Sequence, residues 1–196
     1  MKKIFAIAAA TALISSLSFA QLALHEIGGG VGYVSVSFNN GGSSSQSLGG
    51  FLIAAHANLG DLAKDLSLVP DLEYFSTSKD VDGGTVKVGD FGINANVHYA
   101  IAMEGMVKPY VGGGLGINFL STTGSVTGPA YDPITNTFYT KTYSSTASYT
   151  RLGINLLVGA NYKLNDKMTL LLEPRYVIAS DFDNFQIKAG VTWALN

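Results

Sequence analysis

The chain has 196 residues, 47% hydrophobic and 13% charged, with a mean hydropathy of +0.25 and a formal charge of −2. It has no cysteine, which excludes disulfides, thiolate metal sites and a cysteine lipid anchor. Twelve Lys plus Arg against fourteen Asp plus Glu give no basic face for nucleic acid.

Residues 1–20 read as an export leader. Lys2 and Lys3 make a positive start, Ile4 to Leu17 is an apolar run relieved only by Thr11, Ser15 and Ser16, and Ser18-Phe19-Ala20 fits a small-x-small cleavage site. The run is short for a spanning helix, which argues against an N-terminal anchor. Cleavage after Ala20 leaves one domain, residues 21–196. Losing Lys2 and Lys3 takes the charge from −2 to −4. After Leu17 no stretch is long and apolar enough for a transmembrane helix, so the positive hydropathy needs another source.

Alternation supplies it. Side chains on a strand point to opposite faces with period two. In 91–101, Phe91, Ile93, Ala95, Val97, Tyr99 and Ile101 take one face, and Gly92, Asn94, Asn96, His98 and Ala100 the other. In chain order, segments of this kind predict strands at about 26–38, 46–59, 66–77, 90–103, 107–120, 149–164, 168–180 and 185–195. Most approach the length of a tilted transmembrane strand. The connections 60–65, 104–106 and 165–167 are short; 39–45, 78–89 and 121–148 are longer. Short turns at one end and long loops at the other mark an outer-membrane barrel. The connection 181–184 departs from the pattern by being short. The predicted fold is therefore all-β: an eight-stranded, antiparallel, up-and-down transmembrane β-barrel with both termini in the periplasm.

Alternation alone does not say which face points out. Size decides between a membrane barrel and a soluble one with an apolar interior. The apolar parity carries Phe51, Leu72, Tyr74, Phe91, Phe119, Leu156, Tyr176 and Trp193, among others. An eight-stranded interior, just wide enough for side chains to fill it, would not hold them all. The polar parity is rich in glycine, including Gly92, Gly112, Gly114, Gly116, Gly153, Gly159 and Gly190, as a crowded interior requires. Pro70, Pro109 and Pro174 fall on the lipid-facing parity, where a closed barrel has no edge to shelter a missing amide donor.

Parity turns Asp71, Glu73, Lys108, Arg151, Lys163, Glu173, Arg175 and Lys188 inward. Glu73 and Arg175 lie on strands that face each other, each about seven residues from its strand's start, so they are expected to meet across the lumen. Glu173, Lys188 and Arg151 complete the expected ion-pair network, because charges removed from water must be paired. No catalytic, cofactor or metal site is predicted. His25, His56 and His98 lie toward the periplasmic side, and none is spaced as a ligand pair or stands with an acid and a serine.

The chain resembles the OmpA/opacity-type family of small eight-stranded outer-membrane barrels. The resemblance is carried by Gly29-Gly30-Val31-Gly32-Tyr33-Val34, by the run from Pro109-Tyr110-Val111 to Gly116, and by Leu172-Glu173-Pro174-Arg175-Tyr176, in that order and spacing. The end of the last strand also looks like the assembly signal of such barrels, with Lys188, Gly190, Trp193 and Leu195 at its positions. The family usually ends on an aromatic residue, where this chain has Leu195-Asn196. The resemblance implies the outer membrane of a Gram-negative-type bacterium, with membrane lipids, lipopolysaccharide and the barrel assembly machinery as partners. It leads to a structural or surface-interacting, adhesin- or opacity-like role as the expected function, with a plugged lumen. The alternatives are a narrow porin-like channel and, third, a lipid A-modifying enzyme. The Ser-, Thr- and Tyr-rich segment 121–148 is either an extracellular ligand site or a solvated shield. Within it, 138–149 has the composition to extend the barrel as a hairpin.

Overall fold

The computed structural model describes residues 23–38, 46–81, 83–179 and 182–195. The expected leader lies outside the described residues, as do the 39–45 connection and the first residue of the last one. The strands are β1 (Glu26–Phe38), β2 (Gln46–Asn58), β3 (Asp61–Ala63), β4 (Leu66–Val81), β5 (Gly84–Ala100), β6 (Val107–Asp132), β7 (Thr137–Lys163), β8 (Met168–Ala179) and β9 (Phe182–Ala194). Eight of them form a closed ring. Neighbours in sequence pair antiparallel, β1 pairs with β9, and β2 pairs with β4. β3 is a short arm of the 60–65 turn that folds back on β4 with a bulge. It is too short for sequence alternation to reveal.

The parity assignment corresponds to burial. Outward residues such as Phe51 and Leu152 are 85% and 76% exposed, whereas inward Asn96 and Asn155 are fully buried. The outward residues from Phe91 to Ile101 span roughly 33 Å of chain, which at a tilt of about 40° is about 25 Å of height, that of a barrel's apolar band. Above that band the outward positions turn polar or small at Ser35, Gly49, Ser76, Gly89, Ser121, Thr150 and Asp183.

Four strands do not stop there. The predicted loops 78–89 and 121–148 are continuations of β4, β5, β6 and β7 into a one-sided wall above the band. β6 and β7 pair without a register shift from Val107↔Tyr162 to Asp132↔Thr137. Threonine pairs hold the wall's outer face, Thr123 to Thr146 at 2.9 Å and Thr127 to Thr142 at 3.0 Å. At the tip, Asn136 takes a left-handed φ of 53° and Asp132 accepts the Ile134 N–H at 2.9 Å. That bond and the Thr135 hydroxyl hold the Asp132 carboxyl below the usual carboxylate range.

The three prolines sit where a ladder is already interrupted. The β2–β4 ladder ends at His56↔Asp71, one residue before Pro70. The β5–β6 ladder ends at Ala100↔Tyr110, next to Pro109, whose carbonyl still accepts the Ile101 N–H at 2.9 Å. Between β7 and β8 the pairing skips from Leu157↔Arg175 to Ala160↔Leu172, passing over Pro174. The missing donors therefore fall in gaps rather than in continuous ladders.

Candidate functional site

The inward charges meet in one layer. β4 supplies Asp71 and Glu73, β8 supplies Glu173 and Arg175, and β9 supplies Lys188, all of them buried. The Arg175 guanidinium lies 2.9 Å from Glu73 and 2.8 Å from Glu173, and pairs with both oxygens of Asp71. Lys188 Nζ lies 2.6 Å from Glu73, 3.0 Å from Glu173 and 3.7 Å from Asp71. Two cations thus serve three carboxylates across the full width of the barrel. Such a cluster holds together only if its remaining lone pairs are satisfied. Asn94 and Asn96 donate to Asp71 at 2.6 and 2.7 Å, and Asn155 joins them at 3.0 and 2.8 Å. The Tyr110 hydroxyl donates to Glu173 at 2.7 Å.

Two glycines make room for this belt. A Cβ on Gly159 would run into the Tyr110 ring directly opposite, and one on Gly116 would meet the Asn94 amide. His98 stacks on Tyr110 with ring centroids 4.5 Å apart, its Nε2 3.7 Å from Glu173. His56 Nε2 lies 2.8 Å from the Thr192 hydroxyl.

The sequence expectation of the network is corrected at one cation. Arg151 does not join the belt. It is half-buried, and its guanidinium lies 5.1 Å from the Tyr149 ring. Its parity is inward, but it sits six residues up β7 from Leu157, the partner of Arg175, which is about 20 Å of strand. Lys108 and Lys163 are exposed at the turn end, and Lys163 pairs with Asp166 at 2.8 Å. Parity gives the face of a residue but not its depth.

A second layer lies above the belt, and sequence reasoning missed it. Val34, Leu52, Phe75, Val88, Leu120 and Phe182 are buried together inside the barrel at the hairpin end. The rings of Phe75 and Phe182 stack at 6.3 Å, 2° from parallel. All six have the inward, nominally polar parity. The available signal was the change from polar to apolar inward residues along β4, where Asp71 and Glu73 give way to Phe75.

The sequence model for the outer membrane protein beta-barrel domain matches residues 6–194. The chain belongs to this family. Neisserial surface protein A has a similar structure, with a TM-score of 0.60 at 19% identity over 86% of this chain and 95% of that one. The attachment invasion locus protein Ail of Yersinia pestis, solved with the heparin analogue sucrose octasulfate, aligns with a TM-score of 0.48 at 12% identity, over 88% of this chain and all of that one. The N-terminal barrel of Pseudomonas aeruginosa OprF aligns with a TM-score of 0.44 at 14% identity, over 88% and 98%. Comparison with curated protein sequences finds no match. In this outer-membrane barrel the positions read as an assembly signal are divided between faces. Lys188 is in the belt, Trp193 points outward between Ile27 and Met168, Gly190 pairs with Gly30, and the Leu195 N–H donates to the His25 carbonyl at 2.9 Å.

Proposed function

We propose that this protein is a closed, non-conducting outer-membrane barrel that holds a four-stranded wall on the cell surface, for contact rather than transport. What supports the reading is two packed layers inside the barrel. The charged belt joins β4 to β8 and β9 at one level, and the apolar layer with the stacked Phe75 and Phe182 lies at another. An ion would have to displace fixed ion pairs and then cross a dry constriction. The short turns lie at the end where both described termini lie, which supports periplasmic termini and an outward wall. The apolar band meets lipid acyl chains, and the wall's base lies at the level of lipopolysaccharide headgroups. His56 and His98 lie inside the lumen on the turn side, so the reading includes no lipid A chemistry. Planar-bilayer recording is the test. The parent should give no unitary conductance, and Arg175→Ala alone should remain silent behind the apolar layer. Steady channels from the parent would overturn the proposal.

One observation favours a narrow pore as the second reading. Asp90 Oδ1, Asn118 Nδ2, Gln186 Oε1 and both side-chain polar atoms of Asn184 are buried without a protein partner. Buried polar groups of this kind are commonly met by water. A polar layer of this sort would carry ions if both packed layers moved. Phe75→Ala combined with Arg175→Ala tests this second reading and should then conduct.

A further inference from the structure

The wall ends in an open edge. β8 stops at Ala179, opposite Gly153, so β7 continues above it with no described neighbour on that side. The direction of the backbone groups follows from one hydrogen bond. The Lys163 N–H donates to the Met106 carbonyl, which turns the odd residues of β7 toward β6. The register is unshifted up to Thr137, so the even residues from Phe138 to Thr150 turn their N–H and C=O groups to the open side.

Long free edges are normally blunted by shortness, charge, proline or a bulge. The wall's other edge is blunted in this way. β4 extends only from Thr77 to Val81 beyond its last pair with β2, and it carries Lys79 and Asp80. The β7 edge has no proline, no bulge and no carboxylate. Residues 137–152 are mostly Ser, Thr, Tyr and Phe, with Lys141 and Arg151 as their two charges. Both have the parity of the lumen-side face. Each lies over a tyrosine, Lys141 5.4 Å from Tyr143 and Arg151 5.1 Å from Tyr149, and neither has a carboxylate partner among the described residues.

We propose that this edge is a docking site for an extended, acidic polypeptide segment, which adds to β7 as a further strand with its carboxylates facing Lys141 and Arg151. The main-chain groups supply the pairing and the two cations supply the selection. A second copy of the chain fits less well. In one membrane, copies related by a twofold axis along the membrane normal would bring β7 beside β7 in parallel, with like backbone groups opposed. The inference rests on the wall lying outside the membrane, as in the reading above. Conductance tests that reading and edge binding tests this one, so the two fail separately.

The test uses the folded full-length barrel in lipid vesicles and a fluorescent thirteen-residue peptide alternating glutamate with threonine and valine. The glutamate peptide should bind at least about tenfold tighter than its lysine counterpart. N-methylation of alternate peptide residues should abolish the pairing. Ser144→Pro with Thr146→Pro removes two donors from the open side and none from the β6 ladder, so binding should fall about tenfold with the barrel still folded. If that variant does not fold, the N-methylated peptide on the parent decides the question. Lys141→Glu with Arg151→Glu should reverse the charge preference. Equal binding of the N-methylated peptide, or no binding of any peptide, would overturn the proposal. So would dextran sulfate binding that the prolines leave unchanged, which moves the site to the cationic face. Clustering of vesicles without peptide would assign the edge to a second copy instead.

Discussion

Removing Arg175 tests the belt most directly. In the native barrel its guanidinium serves Asp71, Glu73 and Glu173 at once, and it is 1% exposed. In Arg175→Ala the three carboxylates keep only Lys188. That ammonium remains 2.6 Å from Glu73 and 3.0 Å from Glu173, but 3.7 Å from Asp71. Asp71 keeps its two asparagine donors and loses the cation that pairs with both its oxygens. Breaking a buried pair by removing one partner costs about 3–5 kcal/mol, and most of that cost should fall on Asp71. The double variant with Asp71→Asn should therefore recover more stability than the one with Glu73→Gln. Its coupling should approach about 2–3 kcal/mol, against roughly 1 for Glu73. The assay is urea unfolding from lipid vesicles, followed through Trp193, the chain's one tryptophan, which lies on the outward face. A cost below about 0.5 kcal/mol for Arg175→Ala, or stronger coupling to Glu73 than to Asp71, would refute the reasoning.

Four further outcomes are expected. Ile93→Arg, in the middle of the apolar band, should cost roughly 2–4 kcal/mol in the same assay. Phe75→Ala should cost about 3–5 kcal/mol by emptying its half of the Phe75–Phe182 stack, unless the lumen collapses onto the gap. Deleting residues 193–196 removes the pairing of Trp193 and Ala194 with β1, and the truncated chain should fail to reach the outer membrane in cell fractionation. Replacing residues 124–145 by a two-residue turn between the paired Thr123 and Thr146 should leave barrel stability within about 0.5 kcal/mol, because the removed wall contributes nothing to closure.

The barrel was legible because one physical signal recurs on every strand, large groups outward and small or polar groups inward. The same signal could not show where strands end above the band. From 138 to 149 the residues of both faces are exposed, so alternation fades although the strand continues. Depth was the second limit. Counting from strand starts brought Glu73 to Arg175, and the two do pair at 2.9 Å. Arg151 was drawn in by its inward parity alone, which carries no depth. Nor does parity show that Asn94 is tied in place, its amide donating to Asp71 at 2.6 Å and its oxygen accepting from Asn155. The apolar layer escaped notice because its members share the parity expected to be polar.

The ring has one short seam. β2 and β4 are joined by six paired residues, Phe51↔Ser76 to His56↔Asp71, whereas β1 is joined to β9 by thirteen. Asp71 and Glu73 stand on this seam, and from them Arg175 and Lys188 reach back to β8 and β9 on the far wall. In mechanical terms the belt is a tie rod. It draws β4 inward across the diameter at the height where the fewest rungs hold it to its neighbour. Pulled apart by its ends, the cylinder should keep its terminal joint and split first along β2–β4, and a barrel without Arg175 should split there under a smaller load.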